Sequence, residues 1–152
     1  MSDKVPKILA LSSGGGHWVQ LLRLRPAFEG CNVVYATVSE GYRPEVEGAE
    51  FRLIVDANRS NKLDLIRSAW SILRLMISER PDIVISTGAA PGFFAVRLGK
   101  ILRVRTVWLD SVANAEELSM SGQKVGGSVD LWLTQWPHLA DEKGPKCFGS
   151  VL

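Results

Sequence analysis

Three short stretches hold the residue types needed to bind and activate an oxygen-rich substrate. The first is Ser13-Gly14-Gly15-Gly16-His17. Contiguous glycines carry no Cβ, so a ligand can come close to their backbone. A helix that begins at the last of them aims unpaired N–H groups at an anion. His17, in the first turn of that helix, is placed to hydrogen-bond an oxyanion or to take a proton from a hydroxyl. The second stretch, Thr87-Gly88-Ala89-Ala90-Pro91-Gly92, is another loop of small residues before a helix. The third is Asp110-Ser111-Val112-Ala113-Asn114, where a carboxylate can accept from a sugar hydroxyl or act as a base. Each has a plainer explanation taken singly. The glycines also suit a tight turn with no ligand, Asp110 a helix cap or turn, and an isolated histidine is more often structural.

The glycines do not spell a dinucleotide fingerprint, because they are contiguous and no further glycine follows inside the helix. No Lys-Ser or Lys-Thr follows, which excludes a P-loop. The strand at 33–37, Val-Val-Tyr-Ala-Thr, ends without the acidic residue that a dinucleotide enzyme uses to hold a ribose. No cofactor is therefore expected. Cys31, Cys147 and the two histidines match no metal spacing, so no metal is expected, and the cysteines read as small buried hydrophobes in a reducing compartment. A net charge of +2 is too small to argue for nucleic acid.

The elements that must position these residues are legible as alternating patterns. Strand-like apolar runs fall at 7–11, 32–37, 51–55, 82–86, 105–109, 131–135 and, weakly, 146–152. Helical patterns fall at 16–25, 64–79 and 92–102, with a weak one at 115–120. Strands alternating with helices predict an α/β fold. Runs apolar on both faces, such as Ile83-Val84-Ile85, predict a sheet covered on both sides. The expected architecture is a Rossmann-like, doubly wound parallel sheet of six to seven strands, with residues 1–152 as one domain. All three stretches then follow strands and share the carboxyl edge, where such folds bind ligands. That constellation predicts a phosphate- or sugar-phosphate-handling site.

Residues 41–48 read as a solvated connection, and 56–62, Asp-Ala-Asn-Arg-Ser-Asn-Lys, as a flexible polar loop on the ligand side. The helix at 64–79 has a narrow polar stripe and an apolar face wider than the usual 100° or so. Packing on the sheet and a neighbouring helix explains that width first. Contact with a membrane, with Arg67 and Arg74 reaching lipid phosphates, explains it second. The first residues are short and polar, which is no secretory signal. No run approaches the roughly 20 apolar residues of a membrane-spanning helix. A cytoplasmic protein is expected, free or peripheral on the cytosolic face of a membrane.

Four stretches together carry a family resemblance: Ser13-Gly14-Gly15-Gly16-His17; Thr87 to Gly92; Asp110 to Asn114 with Leu118-Ser119-Met120-Ser121-Gly122; and Asp130-Leu131-Trp132-Leu133-Thr134-Gln135-Trp136-Pro137. The chain resembles the membrane-docking, acceptor-binding subunit of the two-part GlcNAc transferase that adds the second sugar to dolichol-diphosphate in eukaryotes. It is also similar to that subunit's bacterial relatives in polysaccharide biosynthesis. The Gly-Gly-His piece is shared more loosely with the N-terminal half of the GlcNAc transferase that completes the lipid-linked peptidoglycan precursor. The resemblance implies the N-terminal, acceptor-side domain of a GT-B glycosyltransferase, active only with a partner subunit carrying the donor-binding C-terminal domain. It implies an inverting heteromer that transfers from a UDP-sugar to a lipid-diphosphate-linked acceptor at a membrane surface, without a metal. Ser13, Gly14, Gly15, Gly16, Thr87, Gly88, Pro91 and Gly92 would hold the acceptor, with His17 and Asp110 as the candidate catalytic groups and Ser111 and Asn114 on sugar hydroxyls. Eukaryotic members carry an N-terminal membrane helix and usually Glu where this chain has Asp110. Two rivals remain at this point: a non-catalytic scaffold that docks the true transferase, and a stand-alone nucleotide-binding enzyme.

Overall fold

The computed structural model describes residues 4–57 and 60–152. Asn58 and Arg59, in the polar loop noted above, and residues 1–3 lie outside them. Six parallel strands form one sheet: β1 (Lys7–Leu11), β2 (Asn32–Thr37), β3 (Glu50–Leu53), β4 (Ile83–Ser86), β5 (Arg105–Leu109) and β6 (Leu131–Leu133), in the order β3-β2-β1-β4-β5-β6. The helices are α1 (Gly16–Arg23), α2 (Lys62–Glu79), α3 (Ala89–Ile101) and α4 (Met120–Val125), with short 3₁₀ turns that include Glu40–Val46.

Alternation along the strands sends side chains to both faces, and both are covered. On one face Ile8, Ala10, Tyr35 and Ile85 meet Trp18 and Leu21 of α1, with Phe28 and Phe51 beside them. On the other, Leu9, Leu11, Val34, Ala36 and Val84 meet Ile72 and Met76 of α2 and Ala95 of α3. A third cluster packs Trp108 of β5 on Val96 of α3 and Val125 of α4. The chain winds outward from β1 to β3, then returns along α2 to place β4 on the other side of β1. The direction of winding therefore reverses between β1 and β4, and a crevice opens at their carboxyl ends.

Helix α3 starts three residues ahead of the expected 92–102, and two weaker elements differ more. Residues 146–152 form no strand. Lys146 makes a single bridge to Leu133, Pro145 has no N–H to extend the ladder, and Gly149, at φ 120°, turns the chain away. The weak helix expected at 115–120 instead begins at Met120, because the Ser119 side chain accepts from Gly122 N and caps it there. The cysteines are half-buried rather than buried. Among the described residues no helix is long and apolar enough to cross a membrane.

Candidate functional site

The two small-residue loops face each other across the β1–β4 crevice. Gly15 is the N-cap of α1 and Gly88 that of α3, and neither supplies a side-chain cap. The helices away from the crevice differ: Asn61 caps α2 and Ser119 caps α4. The N–H groups of a helix's first turn have no partner inside the helix. Two such uncapped ends flank the crevice, each favouring negative charge.

His17 links them. Its Nδ1 lies 2.9 Å from the Thr87 carbonyl oxygen, while Thr87 Oγ1 donates to the His17 carbonyl oxygen at 2.6 Å. A carbonyl only accepts, so Nδ1 carries the hydrogen and Nε2 keeps the lone pair of the neutral ring. The fit is close. A Cβ on Gly88 would come within 2.6 Å of the imidazole, and one on Gly92 within 2.0 Å of Ser86 Oγ. Gly88 also sits at φ 133°, so a side chain there would be strained as well as displacing the ring. Ala89 adopts φ 65° without being glycine, a left-handed conformation that costs on the order of 1–3 kcal/mol and tends to mark functional turns. Pro91 falls in the first turn of α3, where no N–H is needed. Ser13 opens the first loop half-buried, its carbonyl accepting from Ser12 Oγ at 2.8 Å.

The third loop reaches the same edge by a buried polar network. Gln20 of α1 donates to Ser111 Oγ at 3.0 Å and accepts from Val112 N at 3.0 Å. Gln135 donates to Gln20 Oε1 at 2.6 Å and to the Asp110 carbonyl at 3.0 Å, and accepts from Val151 N. Trp136 Nε1 donates to the Val112 carbonyl at 2.8 Å. Asn114 is half-buried at the loop's end, its N–H on the Ser111 carbonyl.

Asp110 itself lies deeper than a substrate-facing carboxylate, at 1% exposure. Its Oδ2 accepts from Ser119 N at 2.8 Å, and its Oδ1 from Ser119 Oγ at 2.6 Å and Trp108 Nε1 at 3.3 Å. A Cβ on Gly122 would stand 2.8 Å from Oδ1. The Leu-Ser-Met-Ser-Gly run therefore has a mechanical sense: Ser119 and Gly122 receive this carboxylate and set the start of α4. The structure thus brings the glycine loop, His17, Thr87, Gly88 and, through Gln20, Ser111 to one edge, and turns the Asp110 carboxylate toward α4.

Tyr42, Gln20, Gln135 and Ser119 were not singled out by residue-level chemistry. Tyr42 falls in the stretch read as a solvated connection, yet its hydroxyl accepts from Gly15 N at 2.9 Å and its ring lies 5.2 Å from that of Trp18. Gln20 carried a usable signal: a glutamine next to Leu21 and one turn beyond His17, on a helix whose inner face is otherwise apolar. Two cavities of about 740 Å³ lie at the opposite, amino-terminal edge and include no residue of the three loops.

Comparison with known proteins gives the family context. A family described as "Oligosaccharide biosynthesis protein Alg14 like" matches residues 50–152. The UDP-N-acetylglucosamine transferase subunit ALG14 of Eremothecium gossypii is 24% identical over a 178-residue alignment, covering 95% of this chain and 80% of the relative. The human protein of the same description is 27% identical, covering 91% of this chain and 79% of the relative. Among solved structures, Acinetobacter baumannii MurG superposes with a TM-score of 0.77 at 12% identity, over 97% of this chain and 46% of MurG. A UDP-N-acetylglucosamine 2-epimerase from Rickettsia bellii gives 0.72 at 13% identity, again over 97% and 46%. The chain thus spans about half the length of these two structures, and the likeness establishes the fold: the α/β, Rossmann-like sheet of a GT-B N-terminal domain.

Proposed function

The chain belongs to the Alg14-like family of oligosaccharide biosynthesis proteins, and from that premise we propose that it is the acceptor-binding subunit of a two-part inverting glycosyltransferase. The donor is a UDP-sugar, and the acceptor is a sugar on a lipid diphosphate. The observation that carries this is the His17–Thr87 clamp between two uncapped helix N-termini. The diphosphate sits at the N-termini of α1 and α3, where N–H groups and helix dipoles oppose its charge. The acceptor hydroxyl then meets His17 Nε2, the ring nitrogen with a free lone pair.

In the transfer step the hydroxyl proton passes to Nε2. The freed oxygen forms a bond to the anomeric carbon of the donor sugar from the face opposite the leaving group. The bond from that carbon to the diphosphate oxygen breaks, and UDP departs with the electron pair on the side of the partner subunit. Donating Nδ1–H to a backbone carbonyl orients the ring and makes Nε2 the basic atom before substrate arrives. Asp110 acts at one remove, holding Ser119 and with it the 111–119 loop.

The membrane contact falls to α2. Leu63, Ile66, Trp70 and Ile77 repeat on its outer face and are exposed, Ile66 at 64% and Trp70 at 60%. Exposed Lys62, Arg67 and Arg74 flank them. An apolar stripe edged with cations suits an anionic bilayer surface.

Amide hydrogen exchange of the chain with a short-chain lipid-diphosphate sugar tests the acceptor assignment. Protection at Gly14 to His17 and at Gly88 to Gly92 is expected. Protection confined to the amino-terminal edge of the sheet would overturn it.

A further inference from the structure

We infer that Tyr42 is a further acceptor-binding residue, its hydroxyl donating a hydrogen bond to the phosphate held at the start of α1; the inference rests on the acceptor assignment above. The Tyr42 oxygen accepts from Gly15 N at 2.9 Å. Its own hydrogen must then point elsewhere, since Gly15 N–H offers no lone pair. The hydroxyl stands at the exposed mouth of the loop, beside the first unpaired N–H groups of α1. A phosphate oxygen seated on those groups is the natural acceptor for it.

The pose is built rather than incidental. The ring lies tilted on fully buried Trp18 at 5.2 Å. Tyr42 N donates to the Ser39 carbonyl, and the Ser39 side chain caps the same 3₁₀ turn by accepting from Gly41 N. Across the loop, a Cβ on Gly14 would come within 2.9 Å of the phenol oxygen, so glycine at 14 is what lets the hydroxyl reach Gly15. A phenylalanine would fill the place against Trp18 equally well. The oxygen is superfluous to packing and sits where an anion is to be held.

Two outcomes separate a donor from a placeholder. If Tyr42 donates to phosphate, its loss weakens binding. If it only occupies Gly15 N–H until the ligand arrives, its loss strengthens binding. The test is titration of the ¹⁵N-labelled full chain with inorganic pyrophosphate, following the amides of Gly14, Gly15, Gly16 and His17, for the parent and Tyr42→Phe. The apparent Kd is expected to rise about tenfold in the variant, the scale of one hydrogen bond to a charged group, with an unchanged melting temperature. In the assembled transferase the same variant is expected to raise the acceptor KM by a similar factor and to leave kcat nearly constant. Equal or tighter pyrophosphate binding by Tyr42→Phe, with the parent responding, overturns the role of Tyr42 alone. A parent whose loop amides do not respond to pyrophosphate overturns the acceptor assignment and the role of Tyr42 together.

Discussion

His17 is held by two bonds of different kinds, and that separates its chemistry from its structural share. The Nδ1–H bond to Thr87 belongs to the side chain, whereas the Thr87 hydroxyl bonds the His17 backbone carbonyl. His17→Ala deletes the first and keeps the second, so the two loops stay tied. Turnover of the assembled enzyme is expected to fall by roughly 10²-fold or more, the scale of a lost general base, with little change in melting temperature. Full activity in that variant would favour a scaffold role. Asp110 should behave in the opposite way. Three donors converge on its carboxylate, and Asp110→Asn turns an amide N–H₂ toward one or more of them. A loss of about 1–3 kcal/mol in stability by denaturant titration is expected, the scale of an unsatisfied buried group. Unchanged stability with abolished transfer would instead make Asp110 catalytic. The glycine loop and His17 were legible because their geometry is local. The burial of Asp110 was not, because Ser119 closes on it only once α4 packs beside β5.

At the scale of elements, β1, β2 and β5 match the apolar runs that predicted them, since the inner residues of a parallel strand covered on both faces are mostly apolar. Helix α3 starts at Ala89, ahead of the glycine expected to open it, because the turn is made at Gly88. The apolar width of α2 divides between two uses. Ile72 and Met76 enter the core as packing predicts, while Leu63, Ile66, Trp70 and Ile77 remain outside; periodicity alone does not say which apolar residues a neighbour covers. Arg67→Glu with Arg74→Glu is expected to reduce co-sedimentation with anionic liposomes more than about tenfold, with neutral liposomes binding weakly in both cases. Parent-like binding by the double variant would remove α2 from the membrane surface. The far end of α2 carries a separate device. Glu79 accepts from Lys7 Nζ of β1 and Arg52 Nε of β3, both at 2.7 Å. Burial pushes its carboxyl up, but the Lys7 hydrogen bond and the Arg52 and Lys7 charges outweigh this and hold it below its ordinary value. A depressed folded-state pKa contributes stability above the unfolded value, about 4.3, that is lost as pH falls through the folded one. Glu79→Gln should therefore be less stable at neutral pH and show a shallower loss below about pH 4.3 in acid titration of the melting temperature. Parallel curves for parent and variant would refute the clamp.

For the whole molecule, the decisive question is which side of the reaction the chain contains. The strand order reverses between β1 and β4, and the proposed acceptor site lies at their carboxyl ends. The chain overlays 46% of MurG, and the proposed two-part assignment gives the other side of the cleft to a partner subunit. Inverting transfer needs a base on the acceptor and a stabiliser for the departing diphosphate. In the proposed assignment His17 is the first, and the second falls to the partner subunit. The purified 152-residue chain is therefore expected to show no transfer from UDP-N-acetylglucosamine to a lipid-diphosphate sugar. Mixing it with a polypeptide that carries a GT-B donor-binding domain should restore turnover, with a rate that saturates as either subunit is added in excess. The carboxyl edge of the sheet should be where they meet, because the donor's anomeric carbon must come within bonding distance of the acceptor hydroxyl that His17 holds. Robust turnover by the chain alone would show that donor and acceptor share one crevice, and the two-part assignment would fall.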